Sequence, residues 1–201
     1  MMVVAQMTKR TGGAWACAWT GARRAAMVAA LLATTAACEP NGTAVSEANN
    51  PDAAYERGLA RLAKGDNDGA VRELGKAAEM RPGHAETYAN LGVAHLRLGD
   101  RDRAIRNLGK AVEIQPDNAA AYSNLGYAQL ESGDFDRAIR NLGKAVELKP
   151  GSSADTYSHL GVAYLRAGDR KRAVRNLEQA LQIAPDHAEA RQTLTLINES
   201  Q

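Results

Sequence analysis

The stretch "RAIRNLGKAVE" occupies Arg103–Glu113 and recurs letter for letter at Arg137–Glu147, 34 positions further on. A catalytic segment is rarely needed twice, whereas a stack of like parts is written in copies. A fixed period of about 20–50 residues marks such an array. The same step runs through most of the 201-residue chain. Gly58, Gly92, Gly126 and Gly161 follow one another at 34, 34 and 35 residues. So do Ala70, Ala104, Ala138 and Ala173, then Gly65, Gly99, Gly133 and Gly168, then Leu74, Leu108, Leu142 and Leu177. Pro82, Pro116, Pro150 and Pro185 close each unit. The one extra residue falls in "PGSSAD" (Pro150–Asp155), a loop-like stretch where an insertion costs little.

Each unit reads as two helices. In "TYANLGVAHLRLGD" (Thr87–Asp100) the apolar Tyr88, Leu91, Ala94, Leu96 and Leu98 fall mostly on helical spacing. Gly99 then ends the first helix, because a left-handed C-terminal position is cheap only for glycine. Asp100 or Asp102 caps the second helix by accepting a backbone N–H. That helix is expected to bury Ala104, Ile105, Leu108, Ala111, Val112 and Ile114, with Pro116 marking its end. Gly92 and Ala104 are small where two helices approach closely. Gly75, Gly109 and Gly143 lie inside second helices, where glycine costs about 1 kcal/mol relative to alanine; close contact with a neighbouring helix is the expected reason.

These residues resemble the tetratricopeptide repeat family. Its pattern of an aromatic, Leu-Gly three residues on, then alanines and a closing proline appears as "YANLG" from Tyr88, "YSNLG" from Tyr122 and "YSHLG" from Tyr157. Tyrosine stands where the family often has tryptophan. The first unit departs further, with Ala54 for the aromatic and Arg57 for the leucine. The resemblance implies an all-α, right-handed solenoid of four helix-turn-helix units (51–84, 85–118, 119–153 and 154–187). A capping helix over 188–201 covers the last apolar edge, since terminal repeats need a polar outer face.

The net charge of +2 and isoelectric point near 8.6 suggest a basic protein. The excess, however, sits in residues 1–37, which hold Lys9, Arg10, Arg23 and Arg24 and no acid; the remainder has 21 basic and 23 acidic residues. Nucleic-acid binding therefore gains no support. The leader reads as a signal peptide. Arg23 and Arg24 precede "AAMVAALLA" (Ala25–Ala33), an apolar run far below the ~20 residues of a permanent span. Small residues then lead into "TAAC", which looks like a bacterial lipoprotein signal with Cys38 as the lipidated N-terminus, although Thr35 stands where that signal usually has an aliphatic residue. Glu39 after the cysteine favours the outer membrane, by the same resemblance. The alternative is a secreted protein cleaved nearby. Residues 38–50, with Pro and Gly and no periodicity, read as a flexible tether.

In the family, first helices line a concave groove. The matching positions give an apolar row of Leu59, Val93, Tyr127 and Val162, with Tyr55 beside it, suited to an extended peptide or an amphipathic helix. Leu62, Leu96, Leu130 and Leu165 are expected to pack between units. Asn90 and Asn124 stand where family members often hydrogen-bond a peptide backbone; polarity inherited with the repeat framework is the equal alternative. The basic residues that clamp a terminal carboxylate in chaperone-binding relatives are absent. On the second helices, Arg103, Arg106 and Lys110 form one stripe, repeated by Arg137, Arg140 and Lys144 and continued by Arg172 and Arg175. By the family fold this stripe is convex; the plainer reading is a solvated charged face, the sharper one contact with phosphate head groups or an acidic partner.

No histidine–carboxylate–cysteine cluster has metal spacing, and neither a phosphate loop nor a nucleophile elbow occurs. The sequence thus reads as a non-catalytic adaptor with no cofactor, a membrane-anchored lipoprotein facing the periplasm. It binds a protein or peptide in its groove and resembles pilotin-type and hydrolase-gathering lipoproteins. A non-lipidated periplasmic or secreted repeat protein that recruits an enzyme is the alternative.

Overall fold

The computed structural model describes residues 49–151 and 153–199. The leader, Cys38 and the tether up to residue 48 lie outside them. Among the described residues there are nine helices and no strand: α1 (Pro51–Ala63), α2 (Asn67–Met80), α3 (Ala85–Arg97), α4 (Arg101–Ile114), α5 (Ala119–Glu131), α6 (Phe135–Leu148), α7 (Ala154–Arg166), α8 (Arg170–Ile183) and α9 (Ala188–Glu199). They form four antiparallel hairpins and a ninth helix, the all-α solenoid expected from the period.

One set of local signals makes every hairpin. Gly65, Gly99, Gly133 and Gly168 have positive φ, from 76° to 86°, and end the first helices. The next residue, Asp66, Asp100, Asp134 or Asp169, accepts the N–H three residues on, at 2.9–3.1 Å. Asp100 rather than Asp102 is therefore the cap of α4. Within each hairpin a glycine of the first helix lies against a leucine of the second. A Cβ on Gly126 would fall 2.6 Å from Leu142 Cγ, and one on Gly161 2.7 Å from Leu177 Cγ. Leu74, Leu108, Leu142 and Leu177 are fully buried as a result.

Between hairpins the core is built by a second leucine. Leu91 joins Ala70 and Leu74, Leu125 joins Ala104 and Leu108, and Leu160 joins Ala138 and Leu142, each reaching back into the preceding unit. Leu62, Leu96, Leu130 and Leu165 also pack on these clusters, as expected. At the start of the array the reaching position is Arg57, whose Nε donates to Glu73 Oε2 at 2.7 Å. Glu73 occupies the place of Asn107 and Asn141, so the first unit replaces an apolar plug with an ion pair at an edge without a preceding hairpin among the described residues. The Arg57 and Lys76 hydrogen bonds hold the Glu73 carboxyl below the usual carboxylate range.

Two expectations need correcting. Ile114 is 36% exposed rather than buried, because it is the last residue of α4. Gly75, Gly109 and Gly143 have no neighbouring atom within 4 Å of where a Cβ would stand, outside the local backbone, so close helix contact does not explain them. Nothing in the structure accounts for glycine at these three positions.

Candidate functional site

First helices of successive hairpins touch one another, α1 with α3, α3 with α5, α5 with α7 and α7 with α9, whereas the second helices make no such contacts among the described residues. First helices therefore crowd the inside of the curve, and the face they share is the concave one. Its row of Leu59, Val93, Tyr127 and Val162 is half-buried. The row does not stop at the fourth unit: Leu196 of α9 stands 34 residues after Val162 and is 58% exposed.

Two depressions interrupt this face and share Tyr127. A cleft of about 540 Å³ lies between α3, α5 and α7, with Val93, Leu96, Asn124 and Tyr127 in its wall. A second, of about 400 Å³, runs from Tyr127 and Leu130 to Val162, Arg166 and Glu189. Val93, Asn124 and Tyr127 thus line the first depression and Tyr127 and Val162 the second, while Tyr55, Leu59 and Asn90 lie outside both. Tyr55 and Leu59 pack against the first core cluster. Asn90 donates its amide to the Tyr55 hydroxyl at 3.1 Å and is engaged at home. Among the described residues Asn124 has no such bond, and it lines the cleft.

His159 escaped the sequence reading. It occupies the register of Asn90 and Asn124, and its ring stacks on Tyr127 with centroids 4.5 Å apart. Its Nδ1 is buried and has no hydrogen-bond partner among the described residues, and its Nε2 is 3.9 Å from Glu189 Oε2. Burial holds its pKa below the ordinary imidazole value despite the opposing pull of Glu189 and Asp155. The substitution of His for Asn within the repeat register was the available signal.

The second-helix stripe divides in two. Arg103, Arg137 and Arg172 each pair with the aspartate that caps their own helix, at 3.3–3.4 Å. Lys110 donates to the Tyr88 hydroxyl at 2.7 Å, and Lys144 lies 3.5 Å from Glu147. Arg106, Arg140 and Arg175 are exposed, with Arg72 one unit earlier in the same register. Among the described residues none of these four has an ion pair. No group of three or more His, Cys, Asp or Glu among the described residues is arranged to hold a metal ion.

Family models described as tetratricopeptide repeat match residues 89–153 and 154–187, and one described as TPR repeat matches 58–99. Residues 58–187 are tetratricopeptide repeats. The solved structure of YrrB, "a TPR protein with an unusual peptide-binding site", superimposes with a TM-score of 0.67 at 25% identity, over 74% of this chain and 76% of that one. MamA residues 41–end from Desulfovibrio magneticus RS-1 gives 0.63 at 27% identity, over 70% and 78%. TTC0263, a thermophilic TPR protein of Thermus thermophilus, gives 0.60 at 22% identity over 78% and 86%, a likeness of fold alone. No curated protein matches the sequence. A tetratricopeptide array is a scaffold for protein–protein interaction, and no catalytic family is indicated.

Proposed function

We propose that this tetratricopeptide protein is a non-catalytic adaptor of the bacterial cell envelope. It holds a peptide or helix of a partner protein in the concave groove and serves assembly of a pilus or secretion machine. The observation that carries the groove reading is the half-buried apolar row on the first helices, indented around Tyr127 by two clefts large enough for side chains. A few desolvated anchors usually dominate such affinities. A peptide-binding site in the similar YrrB supports the same use. The envelope placement rests on the leader and on Cys38, in the sequence alone; no described helix is long and apolar enough to cross a membrane.

The two faces are separable by mutation. Tyr127→Ala with Val93→Ser is expected to weaken capture of the envelope partner by about 2 kcal/mol or more, with helicity retained. Arg106→Glu with Arg140→Glu is expected to change salt sensitivity more than affinity, because exposed charge acts mainly on association rate. Both pairs are compared by quantitative capture from membrane extracts, with circular dichroism as the fold control. Normal capture by the groove variant and loss by the stripe variant would reverse the assignment of the binding face.

A further inference from the structure

The first helices carry an acid at one register: Asp52 on α1, Glu86 on α3, Asp155 on α7 and Glu189 on α9. On α5 the same position is Ala120. All four acids are tied to the framework, Glu86 Oε2 lying 3.3 Å from His84 Nε2. Asp52 Oδ1 meets Arg81 at 2.8 Å, Asp155 Oδ1 meets His187 Nε2 at 2.9 Å, and Glu189 accepts from the Ser158 hydroxyl at 3.0 Å. At Ala120 both the carboxylate and its volume are missing, and the 540 Å³ cleft opens there. Its floor is small and uncharged, made by Ala119, Ala120 and Ser123. Ser123 Oγ lies 2.8 Å from Thr156 Oγ1, which satisfies the floor internally. The walls are Val93 and Leu96 on one side and the stacked Tyr127 and His159 on the other.

Charge around this cleft has the opposite sign to the ladder it interrupts. Arg97 and Lys149 line it, against the single carboxylate of Asp155, which His187 holds. Arg97 donates to the Leu62 carbonyl at 2.9 Å. That acceptor is neutral, so the bond orients the guanidinium without cancelling its charge. A ligand acid entering at α1 or α3 meets that helix's own ladder carboxylate; at α5 that acid is missing, the one carboxylate lining the cleft is Asp155 of α7, and the Arg97 guanidinium stands beside it in the lining. Like charges brought together reject a ligand as effectively as good contacts select one.

Resting on the groove reading above, we infer that the Ala120 cleft is the specificity pocket of the array, taking a bulky apolar side chain of a peptide partner that has an acidic residue beside it. Shape selects the apolar group, and the missing ladder acid together with Arg97 selects its neighbour.

The repeat itself supplies the decisive variant. Ala120→Glu installs the residue that Glu86 and Glu189 already are at this register, so the helix accommodates it. A displayed library of random dodecapeptides is selected on the full chain, and the selected peptides are resynthesised with a fluorophore for anisotropy titration. The expected winners carry Asp or Glu within two residues of Leu, Ile, Met, Phe or Trp. Their affinity is expected to fall at least about tenfold more in Ala120→Glu than in the isosteric Ala120→Gln at low salt, and to fall severalfold in Arg97→Gln. Winners without acids, or equal losses for Glu and Gln, overturn the pocket assignment. Peptides that ignore Ala120→Glu yet are lost by Tyr127→Ala with Val93→Ser also overturn it, while leaving the groove reading intact. Peptides that ignore both sets of variants overturn the groove reading as well.

Discussion

Glycines at two repeated positions have opposite physical roles. Gly126 lies under Leu142, and a methyl group there would overlap the leucine side chain, with the α6 backbone nitrogen only 3.0 Å away. Gly109 meets open space at the corresponding point of its own helix. Gly109→Ala is accordingly expected to stabilise the array by about 0.5–1 kcal/mol, through helix propensity and a less disordered unfolded chain. Gly126→Ala is expected to destabilise it by about 1–3 kcal/mol, through overpacking. Urea denaturation of the two single variants checks both signs. Histidines make a pH prediction at the same scale. Burial lowers the pKa of His95 and His159, so the folded state takes up protons less readily than the unfolded chain. Their contribution is complete above the ordinary imidazole pKa and is lost as pH falls through it towards the depressed folded value. His159→Asn, which restores the residue of units two and three, is expected to reduce the fall in stability between about pH 7.5 and 5.5. Urea midpoints measured across that range for wild type and variant decide it; an unchanged slope contradicts the prediction.

At the scale of elements, α9 is half a repeat. Leu194 and Ile197 stand where Leu160 and Ala163 stand one unit earlier, and they pack on Ala173, Leu177 and Ala180. Thr195 stands where every first helix has glycine. That glycine is needed only against the leucine of a following second helix, and α9 has none among the described residues. Its end is tied down by Arg170, which donates to the Ile197 carbonyl. Removing residues 188–201 bares the apolar face of α8. With about 1.5–3 kcal/mol for each large apolar side chain withdrawn from packing, the loss is expected to be several kcal/mol and the chain to associate. Thermal melts and light scattering of the truncated protein measure both effects.

For the whole molecule, stability is approximately a sum over units and their nearest-neighbour interfaces. Deleting residues 119–152 joins α4 to α7 in register and is expected to leave a shorter, still helical array, read by circular dichroism; strand content or collapse would contradict it. The anchor is a separate matter. Cys38→Ser is expected to abolish fatty-acid labelling and move the protein from membrane to soluble fractions. Equal labelling of wild type and variant would remove the lipoprotein proposal.

Much of this was legible in one pass along the chain. The period, the positive-φ glycines at the hairpin bends, the capping aspartates and the two leucine ladders are local or strictly periodic signals. Four copies in register leave helical hairpins as their common solution. The sequence by itself also determined which face is apolar, since Leu59, Val93, Tyr127 and Val162 share one helical register. Tertiary structure decided what that face holds. Asn90 and Asn124 look alike in the repeat, yet one is spent on Tyr55, 35 residues away, and the other is open to a cleft. Arg103 and Arg106 read as one stripe, but Asp100 engages the first and leaves the second exposed. The cleft itself arises from an absence at Ala120 that means nothing until α3, α5 and α7 stand side by side. Period and propensity act along the chain, whereas a pocket is the space between helices that are distant in sequence, and its volume depends on how closely they pack.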